Sequence, residues 1–509
     1  MRRGRLKREV RLSRLEWNGV RVALAFSFLV LASCRATTPR TAIDVLTPCQ
    51  GADAPSDALC GRLDVFENRA ARAGRRISLK IVVWPALSPD PEPDPLVFLA
   101  GGPGQGAAKL AREVRELFGR IQADRDIVLV DQRGTGESNP LDCRSDEDSL
   151  AALSEPDDVG LQRLKQCLAG YDADPRYYTT TIAMDDLDEV RAHLGYARIN
   201  IYGGSYGTRA GLVYLRQHGE HVRTLVLDGV APPDMRLPLN FPRDAQRALD
   251  HLLADCAADP ACAAKFPRLD DRVRTLFDHL ERDPPAVRLV HPRTGMAETV
   301  RVDATLVANL VFGALYSPLM SSMVPELLVR AEQGDFQGML ALAMANEGTS
   351  SNMSLGMQLS VICAEDAPRI GPGDVERAGV GTVFARRLLT AQLKACDFWP
   401  RGEVPADYYA PVVSAVPALL LSGDVDPVTP PSWGEMVSAH LTNATHLTAP
   451  FTGHGVMTTG CGERIVRQFI TAGSAAGLDT GCLAALRRPP FFLSPAGAEP
   501  TRGADASRP

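Results

Sequence analysis

The chain has 509 residues, of which 45% are hydrophobic, 6% aromatic and 23% charged, the balance of a globular protein and not of a disordered, collagenous or membrane-embedded one. With 55 Lys+Arg against 61 Asp+Glu the formal charge is −6, which excludes a basic nucleic-acid binder that works by releasing phosphate counterions. The length implies two domains or one large domain carrying an insertion, and eleven cysteines make an odd set. The first 21 residues carry eight Lys and Arg against Glu9 and Glu16, and a short apolar run follows at 22–31 (VALAFSFLVL). That run is half the ~20 residues a membrane-spanning helix needs, so it fits a signal peptide better than a stable transmembrane anchor.

The run ends in Leu31-Ala32-Ser33-Cys34, which resembles the lipobox of bacterial lipoproteins. Small residues there let the signal peptidase approach the backbone, and the cysteine thiol takes the lipid. The resemblance implies a signal peptide over 1–33 and a mature chain anchored through acylated Cys34, with the several acyl chains that stable attachment requires. Arg35 follows the cysteine where Asp would retain the protein at the inner membrane. The expectation is therefore a periplasmic protein held to the outer membrane, the alternative being a secreted soluble one. Removing the eight basic and two acidic residues before Cys34 takes the formal charge from −6 to −12.

Ten cysteines remain, an even number in a compartment where disulfides persist. They fall as five close neighbours along the chain, which gives the expected pairs 49–60, 143–167, 256–262, 363–396 and 461–482. No metal or organic cofactor is expected, since there is no C-x-x-C, no H-E-x-x-H and no Cys/His cluster of zinc type.

From residue 77 strands alternate with amphipathic segments, the pattern of an α/β fold. Strands are expected at 77–84, 96–100, 126–131, 199–202 and 224–228. The last four are continuous apolar runs, as in parallel strands covered on both faces. A helix is expected at 185–194, with Leu187, Val190 and Leu194 on one face. After Pro232-Pro233 helical stretches such as 244–257 and 272–282 dominate. The strand pattern resumes at 416–422 and 446–449. The expected organisation is a first core segment at 34–232, a helical cap at 233–405, a second core segment at 406–490 and a mobile tail at 491–509.

At 199–208 a strand runs into Gly203-Gly204-Ser205-Tyr206-Gly207 and then into a helix-like segment at 210–217. This is G-x-S-x-G in the strand-turn-helix setting that holds a nucleophilic serine above a sheet. Serine needs a base, supplied in such folds later in the chain after an acid. Among His440, His446 and His454, the last lies between two glycines in a loop just after the final strand, where an imidazole can reach Ser205. For the acid, Asp424 and Asp426 both follow the 416–422 strand. Pro427 restricts the backbone of Asp426 and fixes its carboxylate's direction, whereas Asp424 can serve as a turn residue. Oxyanion donors are expected from backbone N–H groups at Gly101 and Gly102, after the 96–100 strand, and at Tyr206. Neither G-x-G-x-x-G nor a phosphate-binding G-x-x-x-x-G-K-[ST] can be written over this loop.

Gly101-Gly102-Pro103-Gly104, Asp131-Gln132-Arg133-Gly134-Thr135-Gly136, Gly203-Gly204-Ser205-Tyr206-Gly207, Asp426-Pro427-Val428-Thr429-Pro430 and Gly453-His454-Gly455 stand in this order over 96–455. Together they resemble the α/β-hydrolase serine peptidases of the proline iminopeptidase and tripeptidyl aminopeptidase type. The resemblance implies a mostly parallel central sheet flanked by helices with a large helical cap insertion, and it selects Asp426 over Asp424. Ala100 departs from the His of proline iminopeptidases, while Tyr206 and the disulfides look closer to the tripeptidyl aminopeptidase branch. The implied activity is removal of residues from peptides with a free N-terminus by Ser205, His454 and Asp426 through an acyl-enzyme, without a cofactor. Asp131 and Arg133 are expected to brace loops. Glu365 and Asp366 are the expected partners of the substrate amine. The rival functions are a serine esterase or amidase on small substrates and a non-catalytic binding lipoprotein.

Overall fold

The computed structural model describes residues 45–50, 57–143, 150, 157–346, 353–384 and 387–498; the leader with Cys34 and residues 499–509 fall outside them. The short apolar runs form one nine-stranded sheet: β1 Thr47–Pro48, β2 Leu59–Phe66, β3 Arg76–Trp84, β4 Leu96–Leu99, β5 Ile127–Val130, β6 Ile199–Gly204 and β7 Val222–Asp228. A separate hairpin, β8 Ala286–Val290 and β9 Ala297–Arg301, comes before the last two sheet strands, β10 Ala418–Gly423 and β11 Ala444–Ala449. The spatial order is β1-β2-β3-β5-β4-β6-β7-β10-β11. Pairing is antiparallel as far as β5 and parallel from β5 across to β11.

Helices cover both faces. On one side lie α2 (Thr180–His193) and α3 (Tyr206–His218), which bury Leu187, Val190, Leu212 and Val213; on the other lie α1 (Ala111–Phe118) and α8 (Gly460–Ala472), which bury Val114, Phe118, Ile465 and Phe469. The central strands alternate between these two cores. In β10, Ala418 and Leu420 enter the first and Leu419 and Leu421 the second. This explains why the strand reads as an unbroken apolar run. Each fully buried leucine contributes roughly 1.5–3 kcal/mol. All five disulfides form in the expected sequential pairing: Cys49–Cys60, Cys143–Cys167, Cys256–Cys262, Cys363–Cys396 and Cys461–Cys482.

Four differences from the sequence expectation have physical causes. Strand β2 (LCGRLDVF) carries no clear alternation because only Val65 is buried, and its register comes from full-length pairing with β3. Helix α2 starts at Thr180 and not near 185; Thr179, Thr180, Thr181 and Ile182 are β-branched and poor in helix propensity. Here tertiary hydrogen bonds from the Thr180 N–H and hydroxyl to Glu365 hold the first turn (2.7 and 2.9 Å). The largely helical stretch between β7 and β10, which includes α4 (Phe241–Ala258) and has its own buried cluster with Leu249, Phe277, Val307 and Leu328, also contains the β8–β9 hairpin. Finally, Phe491 and Leu493 are buried in that cluster, and the Phe492 N–H donates to the Ser322 carbonyl (3.1 Å). The tail expected to be mobile from 491 is thus packed at Phe491 and Leu493, beyond which Pro495, Ala496 and Ala498 are exposed.

Asp131 and Arg133 tie loops together at the edge of β5. The Asp131 carboxylate accepts N–H bonds from Ala108 (2.7 Å) and Glu137 (2.9 Å). Arg133, wholly buried, forks onto Asp186 (2.7 and 2.9 Å) and donates to the carbonyls of Glu67 and Tyr177.

Candidate active site

Every loop that carries a candidate residue leaves the carboxyl end of a parallel strand: 100–106 follows β4, Ser205 follows β6, 424–430 follows β10 and 450–455 follows β11. Because these strands are parallel, their carboxyl ends lie on one edge of the sheet, where open α/β sheets gather their ligands.

Ser205 sits between β6 and α3 with φ 56° and ψ −124°, a backbone conformation that non-glycine residues rarely adopt. The sharp turn lifts the side chain off the end of the strand. Its N–H donates to the Asp228 carbonyl (2.9 Å) at the end of the neighbouring β7. The glycine at 207 is required by close approach: a Cβ there would lie 2.1 Å from the Leu99 carbonyl oxygen. The same closeness brings the 100–106 loop in, since a Cβ on Gly101 would lie 3.2 Å from that of Ser205. Gly102 has φ 110°, and the Gly102–Pro103 bond is cis. Tyr206 is the first residue of α3, so its N–H belongs to the first turn, where the helix itself offers no acceptor.

His454 and Asp426 meet directly. His454 Nδ1 lies 2.8 Å from Asp426 Oδ2, with Asp426 fully buried and the imidazole 13% exposed. Asp426 also accepts the N–H groups of Val428 and Thr429, each at 2.9 Å. Burial alone would raise the Asp426 carboxyl. The charge and hydrogen bond of His454, with the two backbone donors, outweigh it and hold the group below the usual carboxylate range. Burial would likewise lower His454, but Asp426 more than compensates and raises it above the ordinary histidine value. The carboxylate of Asp424, the rival acid, lies against the backbone N–H groups of Phe451 and Thr452 and not against His454. His446 is held in β11 with Nε2 3.0 Å from Ser422 Oγ, and His440 follows the helix α7 (Pro431–Ser438).

Three residues that sequence reasoning left without a role complete this geometry. The Thr429 hydroxyl donates to Asp426 Oδ2 (2.8 Å) and lies 3.1 Å from His454 Nδ1, so it fixes both partners. Asp228, buried at the end of β7, accepts from the N–H groups of Val456 and Met457 (2.8 Å each) and from Tyr202 Oη (2.7 Å), pinning the loop just after His454. Tyr316 follows the helix α5 (Ala304–Leu315); its carbonyl accepts the His454 N–H (2.9 Å) and its ring stands edge-on to the imidazole at 5.1 Å. The signal for Thr429 was its place in the Asp-Pro-Val-Thr-Pro motif. For Asp228 and Tyr316 no local pattern marks the role.

Glu365 and Asp366 lie side by side in a π-helical turn after α6 (Leu355–Val361), both wholly buried. They are already bonded. Asp366 pairs with the buried Arg209 of α3 (2.9 Å) and accepts the Leu237 N–H (3.0 Å). Glu365 accepts from Thr180 and from the Tyr408 hydroxyl, and Thr180 Oγ1 in turn lies 2.7 Å from Tyr206 Oη. Burial pushes the Glu365 carboxyl up, against the pull of Arg209 and these donors. Neither carboxylate, expected from the sequence as a partner of the substrate amine, reaches the surface, and both tie neighbouring elements to the segment around 365. Asp366→Ala strands the Arg209 guanidinium in the interior, and a loss of about 3–5 kcal/mol in unfolding free energy is expected in denaturant titration.

Among the described residues no helix is long and apolar enough to cross a membrane. Comparison with known proteins places the chain beside peptidases. Residues 381–482 match an α/β-hydrolase family described as TAP-like protein. The chain is 27% identical to the serine protease Hip1 of Mycobacterium tuberculosis over 92% of its own length and 97% of that protein's. It is 28% identical to a tripeptidyl aminopeptidase of Streptomyces lividans over 35% of this chain and 36% of that one. With a proline iminopeptidase of Neisseria gonorrhoeae it shares 32% identity, over 28% of this chain and 34% of the relative.

Proposed function

The chain belongs to the α/β-hydrolase serine peptidases, and from that premise we propose that it is an exported exopeptidase that removes residues from the free N-termini of peptides. The observation that carries the proposal is the 2.8 Å pairing of His454 with the buried Asp426, on the sheet edge where a strained turn raises Ser205. Ser205 Oγ attacks the peptide carbonyl while His454 takes its proton, and Asp426 holds the imidazole in the tautomer that can accept it. The N–H groups of Gly101 or Gly102 and of Tyr206 receive the oxyanion. His454 then gives its proton to the leaving amine, and water hydrolyses the acyl-enzyme by the same relay. No metal or organic cofactor enters this scheme.

The cap proposed for 233–405 restricts access. It touches the site from two sides, through Tyr316 at His454 and through Met353, which forms an antiparallel bridge with Gln105 beside the oxyanion loop. A covered site of this kind excludes folded chains and favours peptide ends. Anchoring through Cys34 at the outer membrane completes the proposal and places the enzyme among periplasmic peptides. Glu365 and Asp366 act on the substrate amine only through the Thr180 and Tyr206 layer, by their field and not by contact.

The burial of these two acids favours a second reading, hydrolysis of small esters or amides without an amine requirement. A peptide-library digest read by mass spectrometry separates the two. The exopeptidase releases one to three residues from free N-termini and leaves acetylated ones intact; equal cleavage of both, or turnover of small esters alone, would reject it. A narrower test uses Glu365→Gln, which is expected to lower the ratio of kcat/KM for free over capped substrates. An unchanged ratio removes the acids from amine recognition.

A further inference from the structure

The far end of α3, about 20 Å along the helix from Ser205, carries a group of polar side chains that the hydrolytic scheme does not use. His218 ends the helix, and His221 closes the Gly219–His221 turn that leads into β7. Facing them from α2 are Asp185 and Asp188. His218 Nε2 lies 3.0 Å from Asp185 Oδ1, and His221 Nδ1 lies 2.8 Å from Asp188 Oδ1. The two imidazoles are near-parallel, 12° apart in plane with centroids at 6.4 Å.

The protons in this cluster decide what it can hold. An ionised carboxylate only accepts, so a neutral His218 puts its proton on Nε2, toward Asp185. Its Nδ1 then carries a lone pair, and that lone pair faces Asp188 Oδ2 at 3.8 Å. The gap between these two atoms suits a cation, either a second imidazole proton or a metal ion. Zinc bonds of ~2.0–2.2 Å in tetrahedral geometry set neighbouring ligand atoms roughly 3.3–3.6 Å apart, close to the separation found. Ligand atoms of Asp188, His218 and His221 all lie within 4.8 Å of one another.

The surroundings are those of an oriented ligand set. Asp185 on His218 Nε2 reproduces the carboxylate–histidine–metal arrangement in which the outer carboxylate fixes the ring and raises its basicity. Asp188 is held by Arg191 Nε (2.7 Å) and Tyr214 Oη (2.8 Å), both on Oδ1; Oδ2 takes only the longer Arg191 contact at 3.2 Å and keeps room for a further partner. Both imidazoles are 19–28% exposed, which leaves an entry path.

We propose that Asp188, His218 and His221 form a binding site for one divalent transition-metal ion of zinc type, with Asp185 as the outer partner of His218. The ion joins α2, the end of α3 and the turn into β7, at the opposite edge of the parallel strands from the hydrolytic centre, so it serves stability and not the reaction. Binding through Nδ1 moves the His221 proton that now points to Asp188 onto Nε2, and because protons compete with the metal for the imidazole lone pairs, affinity falls as pH falls. Nitrogen ligands select zinc, copper or nickel over calcium and magnesium.

The test is titration of the tag-free, chelator-treated protein with zinc chloride by calorimetry, with melting temperature as second readout. The expected result is one zinc per chain at this site, a raised Tm, and no such shift with magnesium or calcium. His218→Ala and His221→Ala each weaken binding by more than ~100-fold, and Asp185→Asn by ~10–100-fold, while hydrolysis without metal stays at the wild-type rate. Asp185→Asn alters no buried packing and serves where a histidine variant does not fold. Zinc affinity in the His218→Ala/His221→Ala protein within threefold of wild type, or no saturable binding by wild type at micromolar zinc, overturns the assignment.

Discussion

Ser205→Ala lowers kcat by about 10⁶-fold, to the level that an oxyanion hole and substrate binding give without a nucleophile, while KM stays within a few-fold. The size of the effect follows from what the residue alone supplies. The strained turn at Ser205 sets its hydroxyl at the carboxyl edge of the sheet, directly after β6. Alanine fits the same backbone, since its Cβ is that of serine, so the variant folds and binds. Single-turnover measurement with a chromogenic peptide anilide checks this. A loss of tenfold or less would mean that another group performs the attack.

Asp426→Asn produces the next largest loss, about 10⁴ in kcat, with unchanged fold. Asparagine occupies the same volume, but its amide no longer enforces the proton on His454 Nδ1 and no longer stabilises the imidazolium. The pH profile carries a second, independent sign. In the wild-type protein Asp426 raises His454 above its ordinary value against the opposing effect of burial. Activity requires the neutral imidazole, so kcat/KM climbs as pH rises through that raised value. With Asp426 neutralised, burial prevails and the acid limb moves to lower pH while the plateau falls. A variant whose plateau falls but whose limb stays put would show that some other charge sets the histidine.

Much of this site was legible in the sequence because its parts are local. The parallel strands announce themselves as continuous apolar runs, and the loops at their carboxyl ends carry glycines and prolines whose spacing reflects backbone need. Ser205, Asp426 and His454 each sit within such a loop. The choice of Asp426 over Asp424 needed a family resemblance, and the geometry agrees with it: the Asp426 carboxylate is held by the N–H groups of Val428 and Thr429 against His454, whereas that of Asp424 lies against the backbone of Phe451 and Thr452.

What the sequence hid is what depends on distant parts of the chain meeting. Asp228 pins residues 456 and 457 from over two hundred positions away, and Tyr316 reaches His454 from the helical insertion. Glu365 and Asp366 looked like solvent-facing acids free to bind an amine, because nothing local shows that Arg209, Thr180 and Tyr408 converge on them. The early start of α2 has the same origin, since a run of threonines becomes helical when Glu365 holds its first turn. His218 and His221 were passed over because their partners, Asp185 and Asp188, lie on another helix.

The account rests most heavily on Ser205 being an activated nucleophile, and labelling with a fluorophosphonate tests that most directly. Intact-mass and peptide mass spectrometry of the folded wild-type protein is expected to show one adduct per chain, on Ser205, formed at least ~10³-fold more slowly in Asp426→Asn. Folded protein that takes up no label, or takes it up at another residue, would contradict the account and favour a hydrolase fold used only for binding.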